Sequence, residues 1–377
     1  MPAFDAIVLG LGAMGSAAAL SLVRRGHHVL GFEQFALGHR RGSSHGHTRI
    51  IRTAYYEAPE YVPLVRRSFE LWRELEHRTG RALLVPAPCL TVGKPESDLI
   101  EGVRRAAAEH DLPVELLEYR ELTERYAQFR FDPGHVGAVE SNAGLLRVEE
   151  CVAAFQSEAI TTGRVEFRID EPVLGWKSAG SGIEVATANG THSAAKLMIC
   201  AGAWATRLLS DIGVSLAVMR QVQHWFQPVG PIGSFCIPEF PIFLIDGESG
   251  TFYGVPDLDG RGVKCAEHYG APELPGPESV SFDVDELDRH RIAGFVRATL
   301  PGLDPVPNRS EACLYTLSPD RHFVLDVHPR CEHAFVATGF SGHGFKFAPA
   351  MGEVMADWYE GHESKFDLRR FRLSRFA

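Results

Sequence analysis

The passage DAIVLGLGAMGSAAALSLVRRGHHVLGFE, Asp5 to Glu33, leaves few folds open. Ala6 to Leu9 form a short apolar run suited to a buried parallel strand. Gly10, Gly12 and Gly15 give G-x-G-x-x-G, Ala17 to Arg25 are good helix formers, and Gly26 stands where such a helix stops. HHVLGFE predicts a second strand ending in Glu33, 23 residues after Gly10. The glycines permit a tight turn, close approach of a pyrophosphate and close helix–strand packing. The helix N-terminus offers N–H groups and the positive end of its dipole to phosphates, and Glu33 is placed to accept from a ribose. Strand, turn, helix and acid together predict a dinucleotide site. NAD and FAD both use this motif, which alone does not choose between them.

The chain has 377 residues, long enough for two domains or one large interleaved body. Apolar residues make up 45% and charged residues 23%, as in an ordinary globular enzyme. A formal charge of −10, with no block of lysines or arginines, argues against a nucleic-acid partner; HGHTRIIR, His45 to Arg52, is too short and too apolar to alter that. The seven cysteines are odd in number, widely spread and without CxxC, which fits a reducing compartment and offers no zinc-ligand spacing. No metal is expected. MPAFDAIVLGLG lacks a basic n-region and reads as a first strand rather than a signal peptide, and no apolar run is long enough to span a bilayer. The expectation is a cytoplasmic protein with no membrane association.

Further along, Thr48, Arg49 and Arg52 precede Tyr55 and Tyr56. If this stretch is helical, the two arginines share a face and suit bidentate grip of a carboxylate. Ile50 and Ile51 between them point to partial burial. Helical periodicity runs through YVPLVRRSFELWRELEHRTG, with Gly80 as its stop, and through DLIEGVRRAAAEHDL. Turn signals at Ala179–Gly182 and Asn189–Gly190 mark hairpins, and Lys196 to Ala201 predicts an apolar strand returning to the nucleotide-binding sheet. From Val214 to about Arg309 the chain is strand-like, without long helical patterns before Asp285. Tyr253, Lys264 and His268 fall there on hairpin strands. Near the end, GFSGHGFKFAPAMGE, Gly339 to Glu353, packs glycines between aromatics ahead of a helical pattern, so that another body can approach the backbone closely.

Taken together, the front motif, GSSHGHTRIIR, CAGAW, EACLYTLSPDRHFVLD and GFSGHGFKFAP resemble the monomeric sarcosine oxidase family. That group includes N-methyltryptophan oxidase and lies within the D-amino-acid-oxidase-like flavoproteins. The resemblance spans nearly the whole chain. It implies FAD, held by Gly10, Gly12, Ala13, Met14, Gly15, Glu33 and Gln34 at the ADP half, and by Ser43, His45, Thr48, Arg49, Gly342, His343, Gly344 and Lys346 nearer the flavin. Cys313 matches the family's cysteine joined to the flavin by a thioether. Arg52 and Lys346 match the pair that binds the substrate carboxylate. Tyr253 and His268 match residues lining the cavity beside the amine, and Tyr55, Tyr315 and Gly342 match further contacts with substrate. Lys264 matches the lysine implicated in oxygen activation, where a fixed cation favours charge developing on dioxygen. Arg49, Tyr253, Lys264 and His268 are therefore the catalytic candidates.

The implied fold is mixed α/β: a Rossmann-like FAD-binding domain (1–82, 146–216 and 313–377) interleaved with an antiparallel-sheet substrate domain (83–145 and 217–312). The implied reaction oxidises a secondary amine next to a carboxylate to an imine, which water hydrolyses, while dioxygen becomes hydrogen peroxide. With sarcosine the products are glycine and formaldehyde. The alternatives are a bulkier secondary amine, such as N-methyltryptophan or a fructosyl amino acid, a flavin dehydrogenase using a carrier acceptor, and a non-catalytic flavin-binding subunit. The resemblance also implies a monomer whose partners are a small amino acid and molecular oxygen.

Overall fold

The computed structural model describes residues 4–377. Phe4–Leu9 is the first strand, fully buried from Ala6 onward, and helix Ala13–Arg24 follows the glycine turn. Val29–Phe32 then pairs parallel to the first strand, so that Glu33 sits just beyond its carboxyl end. Five parallel strands form the centre of this sheet, in the order Val165–Arg168, Val29–Phe32, Phe4–Leu9, Gly190–Ile199 and Cys331–Thr338. The hairpin Val173–Ala179 and Gly182–Thr187 and the strand Val324–His328 bring it to eight. Helices Ala13–Arg24, Tyr61–Thr79, Val148–Thr161 and Ala348–Glu360 pack together on it through small residues, so that a Cβ on Gly352 would fall 2.6 Å from the Ala17 carbonyl oxygen. Continuous apolar strands buried on both faces are what a parallel sheet requires.

A second, nine-stranded sheet is mostly antiparallel. It runs Glu273–Leu274, Ala217–Phe226, Val263–His268, Gly250–Val255, Ile242–Gly247, Cys89–Gly93, Val136–Glu140 and Val114–Leu117, with Arg309–Leu317 pairing along Ala217–Trp225. Helix Glu286–Thr299 covers one face through Ile292, Phe295 and Val296, which meet Phe226, Phe243 and Phe252. The other face looks toward the first sheet. Alternation of side chains along a strand therefore decides which residues face the space between them. The expected two-part α/β architecture is present. The five-segment division itself is proposed here, with one adjustment: a boundary at 312/313 would cut the continuous strand Arg309–Leu317.

Thr48–Ile51 is a strand, paired with Gly144–Arg147 in a three-stranded sheet that Leu84–Pro86 completes. The helical placement of Arg49 and Arg52 is thereby corrected. Ile50 and Ile51 are β-branched and favour extended backbone, and three residues apart on a strand point to opposite faces. Arg52 rejoins Arg49 only because it lies one residue past the strand end, where Glu140 accepts from Thr53 N (2.6 Å), the Thr53 hydroxyl and Ala54 N (2.9 Å) and turns the chain. Among the described residues no helix is long and apolar enough to cross a membrane.

Candidate active site

The first cavity follows from the opening turn. Gly10 adopts φ +86°, and a Cβ there would lie 2.6 Å from the Cys200 carbonyl oxygen; one on Gly15 would lie 1.8 Å from that of Gly10. Both positions therefore demand glycine. Gly12 gives the following helix no side-chain cap and no acid stands in its first turn, so its N-terminus stays open to an anion; Ser44 Oγ takes the Ala13 N–H at 3.1 Å. Glu33 accepts from Leu11 N (3.0 Å) and Phe35 N (3.2 Å), which fixes its carboxylate at the cavity wall with lone pairs to spare. The cavity, about 250 Å³, runs from Gly10–Met14, Glu33 and Gln34 past Ser43 and Arg49 to Gly339–Gly342 and Gly344.

A smaller recess of about 80 Å³ joins it, sharing Arg49, Tyr315, Gly342 and Phe345 as common wall. The recess stands on the inner face of the nine-stranded sheet. Register pairs Val255 with Lys264 and Lys264 with Trp225, and Gln221 with Cys313. Directly paired residues share a face, so Tyr253, Val255, Lys264, His268, Cys313 and Tyr315 all look one way and line the recess. From the opposite side come Arg52, Tyr56 and Glu57, and from the glycine turn Gly342, His343 and Lys346. That turn is held by Ser341, whose N–H donates to the Thr316 carbonyl (2.8 Å), and by Tyr269, whose hydroxyl donates to the Ser341 carbonyl (2.6 Å). A Cβ on Gly342, at φ +84°, would strike the Tyr315 ring at 2.3 Å.

Four cations, Arg49, Arg52, Lys264 and Lys346, meet one carboxylate, Glu57, at this recess. Arg52 donates to Glu57 (Nη2 to Oε2, 3.0 Å) and to the Ala54 carbonyl. Burial acts to raise the Glu57 pKa, but the positive charge of Arg52 foremost, with Lys346, outweighs it and holds the carboxyl ionised. Burial, then Arg52, pushes the Lys346 ammonium down to about 7. Lys346 Nζ donates to the His343 carbonyl (2.9 Å) and to Tyr55 Oη (3.3 Å). Burial takes His268 down to about 3 and His343 to about 4, and takes Tyr253 up to about 12. These three are therefore neutral at pH 7. Lys264 is fully buried and donates to the carbonyls of Gly46 (3.2 Å) and Thr48 (2.6 Å) and to Gln223 Oε1 (3.2 Å). Burial and Arg49 push its pKa well down. Three acceptors around one nitrogen nevertheless require three N–H bonds, and only the ammonium has them.

Most of the expected residues converge on these two spaces. Gly15 is packing beneath the turn. Tyr55 does not line the recess: it lies one layer behind, with Arg52 Cζ at 4.7 Å and Lys346 Nζ at 5.0 Å from its ring centre and its hydroxyl 2.7 Å from His343 Nδ1. It backs both cations, and Tyr56 takes the wall position. Thr48 lines the recess with its Oγ1 unpartnered, whereas His45, buried with both ring nitrogens unpartnered and 3.8 Å from Glu311, lines neither space. A buried polar atom without a partner is costly, and one left open on the wall of these joined spaces fits a polar cofactor such as FAD. Glu57, Tyr56 and Gln223 were not singled out from sequence as site residues. An acid five residues after Arg52 was the one available signal for Glu57.

Comparison with known proteins bears directly on this geometry. A family described as "FAD dependent oxidoreductase" matches residues 5–358. The chain is 41% identical to a monomeric sarcosine oxidase of Streptomyces avermitilis over 360 residues, covering 94% of this chain and 93% of the other. It is 34% identical to N-methyl-L-tryptophan oxidase of Yersinia pestis over 99% of both chains. Among solved structures, NikD, an amino acid oxidase of nikkomycin biosynthesis, superposes with a TM-score of 0.86 at 26% identity, covering 98% of this chain and 97% of its own. An open helix N-terminus, an acid at the cavity wall and a glycine turn over a cation-lined recess agree with that match over nearly the full length. The chain belongs to the FAD-dependent oxidoreductases.

Proposed function

We propose that this enzyme oxidises small N-methyl amino acids, sarcosine foremost, with dioxygen as acceptor, and that it works as a cytoplasmic monomer. The observation that carries this is the recess itself: two buried cations, Arg52 and Lys346, backed by one tyrosine ring and set beside neutral Tyr253, His268 and Tyr315. Gly10–Met14, Glu33, Gln34, Ser43 and Arg49 would hold FAD in the larger cavity, with Cys313 as its point of attachment. When bound, FAD accepts two electrons from the substrate C–H bond and delivers them to oxygen.

The protein's own residues do the rest. Arg52 and Lys346 bind the carboxylate, for which the substrate must compete with Glu57. Four cations against one carboxylate disfavour a protonated amine nearby, so the amine is bound neutral, the form whose C–H bond can be oxidised. With His268 neutral, the site carries no strong general base there and needs none. Lys264 keeps a positive charge fixed where charge develops on oxygen. The recess volume, about 80 Å³, is small beside the roughly 150 Å³ of an apolar cavity that takes up benzene. That favours sarcosine over an indole-bearing amine. Mixing the purified yellow protein anaerobically with each substrate tests this: sarcosine is expected to bleach the flavin faster than N-methyltryptophan. The reverse order would move the assignment to the bulkier amine.

Carboxylate binding should depend on pH through Lys346. Binding an anion raises its pKa above the free value of about 7, so affinity is highest below that pH and falls as pH rises through it. Glu57, His268, His343 and Tyr253 do not change charge between pH 6 and 9. A carboxylate lacking an amine, such as acetate, is expected to bind on the order of tenfold more weakly at pH 9 than at pH 6. Flavin difference spectra would report it, and Lys346→Met should flatten the profile.

A further inference from the structure

Gln223 is completely buried on the inner face of the strand Ala217–Phe226, in the row that includes Gln221 and Trp225. Its amide orientation is dictated by its neighbours. Oε1 faces two donors, Lys264 Nζ at 3.2 Å and Arg49 Nη1 at 3.4 Å, which leaves Nε2 directed at the sulfur of Cys313, 3.1 Å away. The chain makes room for this amide: Gly46, at φ +96°, would place a Cβ 2.5 Å from Oε1 and 2.8 Å from Nε2. Lys264 in turn donates to the Gly46 carbonyl. An apolar side chain would fill the space without demanding three polar partners or that glycine.

We propose that Gln223 is a positioning residue for flavin attachment, its N–H holding the Cys313 sulfur in line while Lys264 and Arg49 anchor its oxygen. The inference rests on Cys313 being the attachment point. In that reaction the flavin C8-methyl carbon loses one proton and the Cys313 thiol loses another as the C–S bond forms. The electron pair released passes through the flavin ring to dioxygen, which leaves as hydrogen peroxide with two protons. An N–H donated to the sulfur stabilises the anionic nucleophile and fixes the direction of its lone pairs. It also makes the cysteine and the oxygen-facing lysine parts of one hydrogen-bonded unit.

The test is the partition of flavin between acid-precipitated protein and supernatant, as purified and during timed incubation with added FAD. Gln223→Leu removes both halves of the amide. Gln223→Glu keeps the shape and the acceptor for Lys264 and Arg49 but loses the N–H. Both variants are expected to attach flavin at least tenfold more slowly than the parent, with the dissociation constant of non-covalent FAD changed less than twofold, a split that general loosening of the fold would not give. Attachment at the parental rate in the glutamate variant overturns the inference, whatever the leucine variant does and even if the latter is insoluble. A parent protein whose flavin is wholly extractable, or a Cys313→Ala variant that keeps covalent flavin, overturns the attachment point itself and the inference with it.

Discussion

Replacing Lys264 with methionine is expected to slow reoxidation of the reduced enzyme by dioxygen about 10²–10³-fold, the cost typical of losing one preorganised electrostatic group at a developing charge. Anaerobic reduction by substrate should change only a few-fold, because Arg52 and Lys346 are untouched. The separation is what identifies the role. Lys264 has all three N–H bonds committed to the Gly46, Thr48 and Gln223 oxygens, so its charge is held rigidly with no reorganisation at the moment of reaction. Methionine matches its length and removes the charge, while each acceptor keeps a second donor, Thr48 N on the Gly46 carbonyl and Arg49 Nη1 on the Thr48 carbonyl and Gln223 Oε1. Only a small fall in Tm is therefore expected. Stopped-flow mixing of reduced protein with oxygenated buffer reads the rate directly. Equal losses in both half-reactions would indicate a damaged fold rather than an oxygen site.

The second large effect concerns Arg52. Its guanidinium is buried, paired with Glu57 at 3.0 Å and stacked near Tyr55 and Tyr56. Arg52→Ala removes half of the proposed carboxylate grip and strands Glu57 without its main partner. Breaking a buried pair in this way costs about 3–5 kcal/mol, and kcat/KM should fall by at least about 10²-fold with FAD still bound. Glu57→Gln gives the opposite sign for binding: with the internal competitor neutralised, a simple carboxylate should bind more tightly. If Arg52→Ala left substrate affinity unchanged, Lys346 alone would be the anion anchor and the place of Glu57 would need another explanation.

How much of this was legible in the chain can be stated residue by residue. The N-terminal strand, turn and helix were readable because glycine, apolar run and acid all act locally. Tyr61–Thr79 and Asp98–His110 were readable for the same reason, through periodicity and, for the first, a Gly80 stop at φ +67°. The hairpin carrying Tyr253, Lys264 and His268 showed in its turn residues. The arginine segment misled, since a three-residue spacing suggests a helix face only where the backbone is helical, and two β-branched isoleucines extended it. Tyr55 and Tyr56 lie in a loop without a period, so nothing local says which ring meets the recess. Gln223 was hidden differently. Alternation puts it on one face with Gln221 and Trp225, but which face looks inward is decided by pairing with Arg309–Leu317, nearly a hundred residues on.

The most direct measurement is oxygen uptake by the purified protein with sarcosine as the only added substrate, followed together with peroxide and formaldehyde. A small-amine oxidase consumes one oxygen for each peroxide and each formaldehyde formed. Flavin that sarcosine reduces without air, but that then takes up oxygen only slowly, would contradict the role given to Lys264 and make the enzyme a dehydrogenase. Flavin that sarcosine does not reduce at all would contradict the small-amine recess.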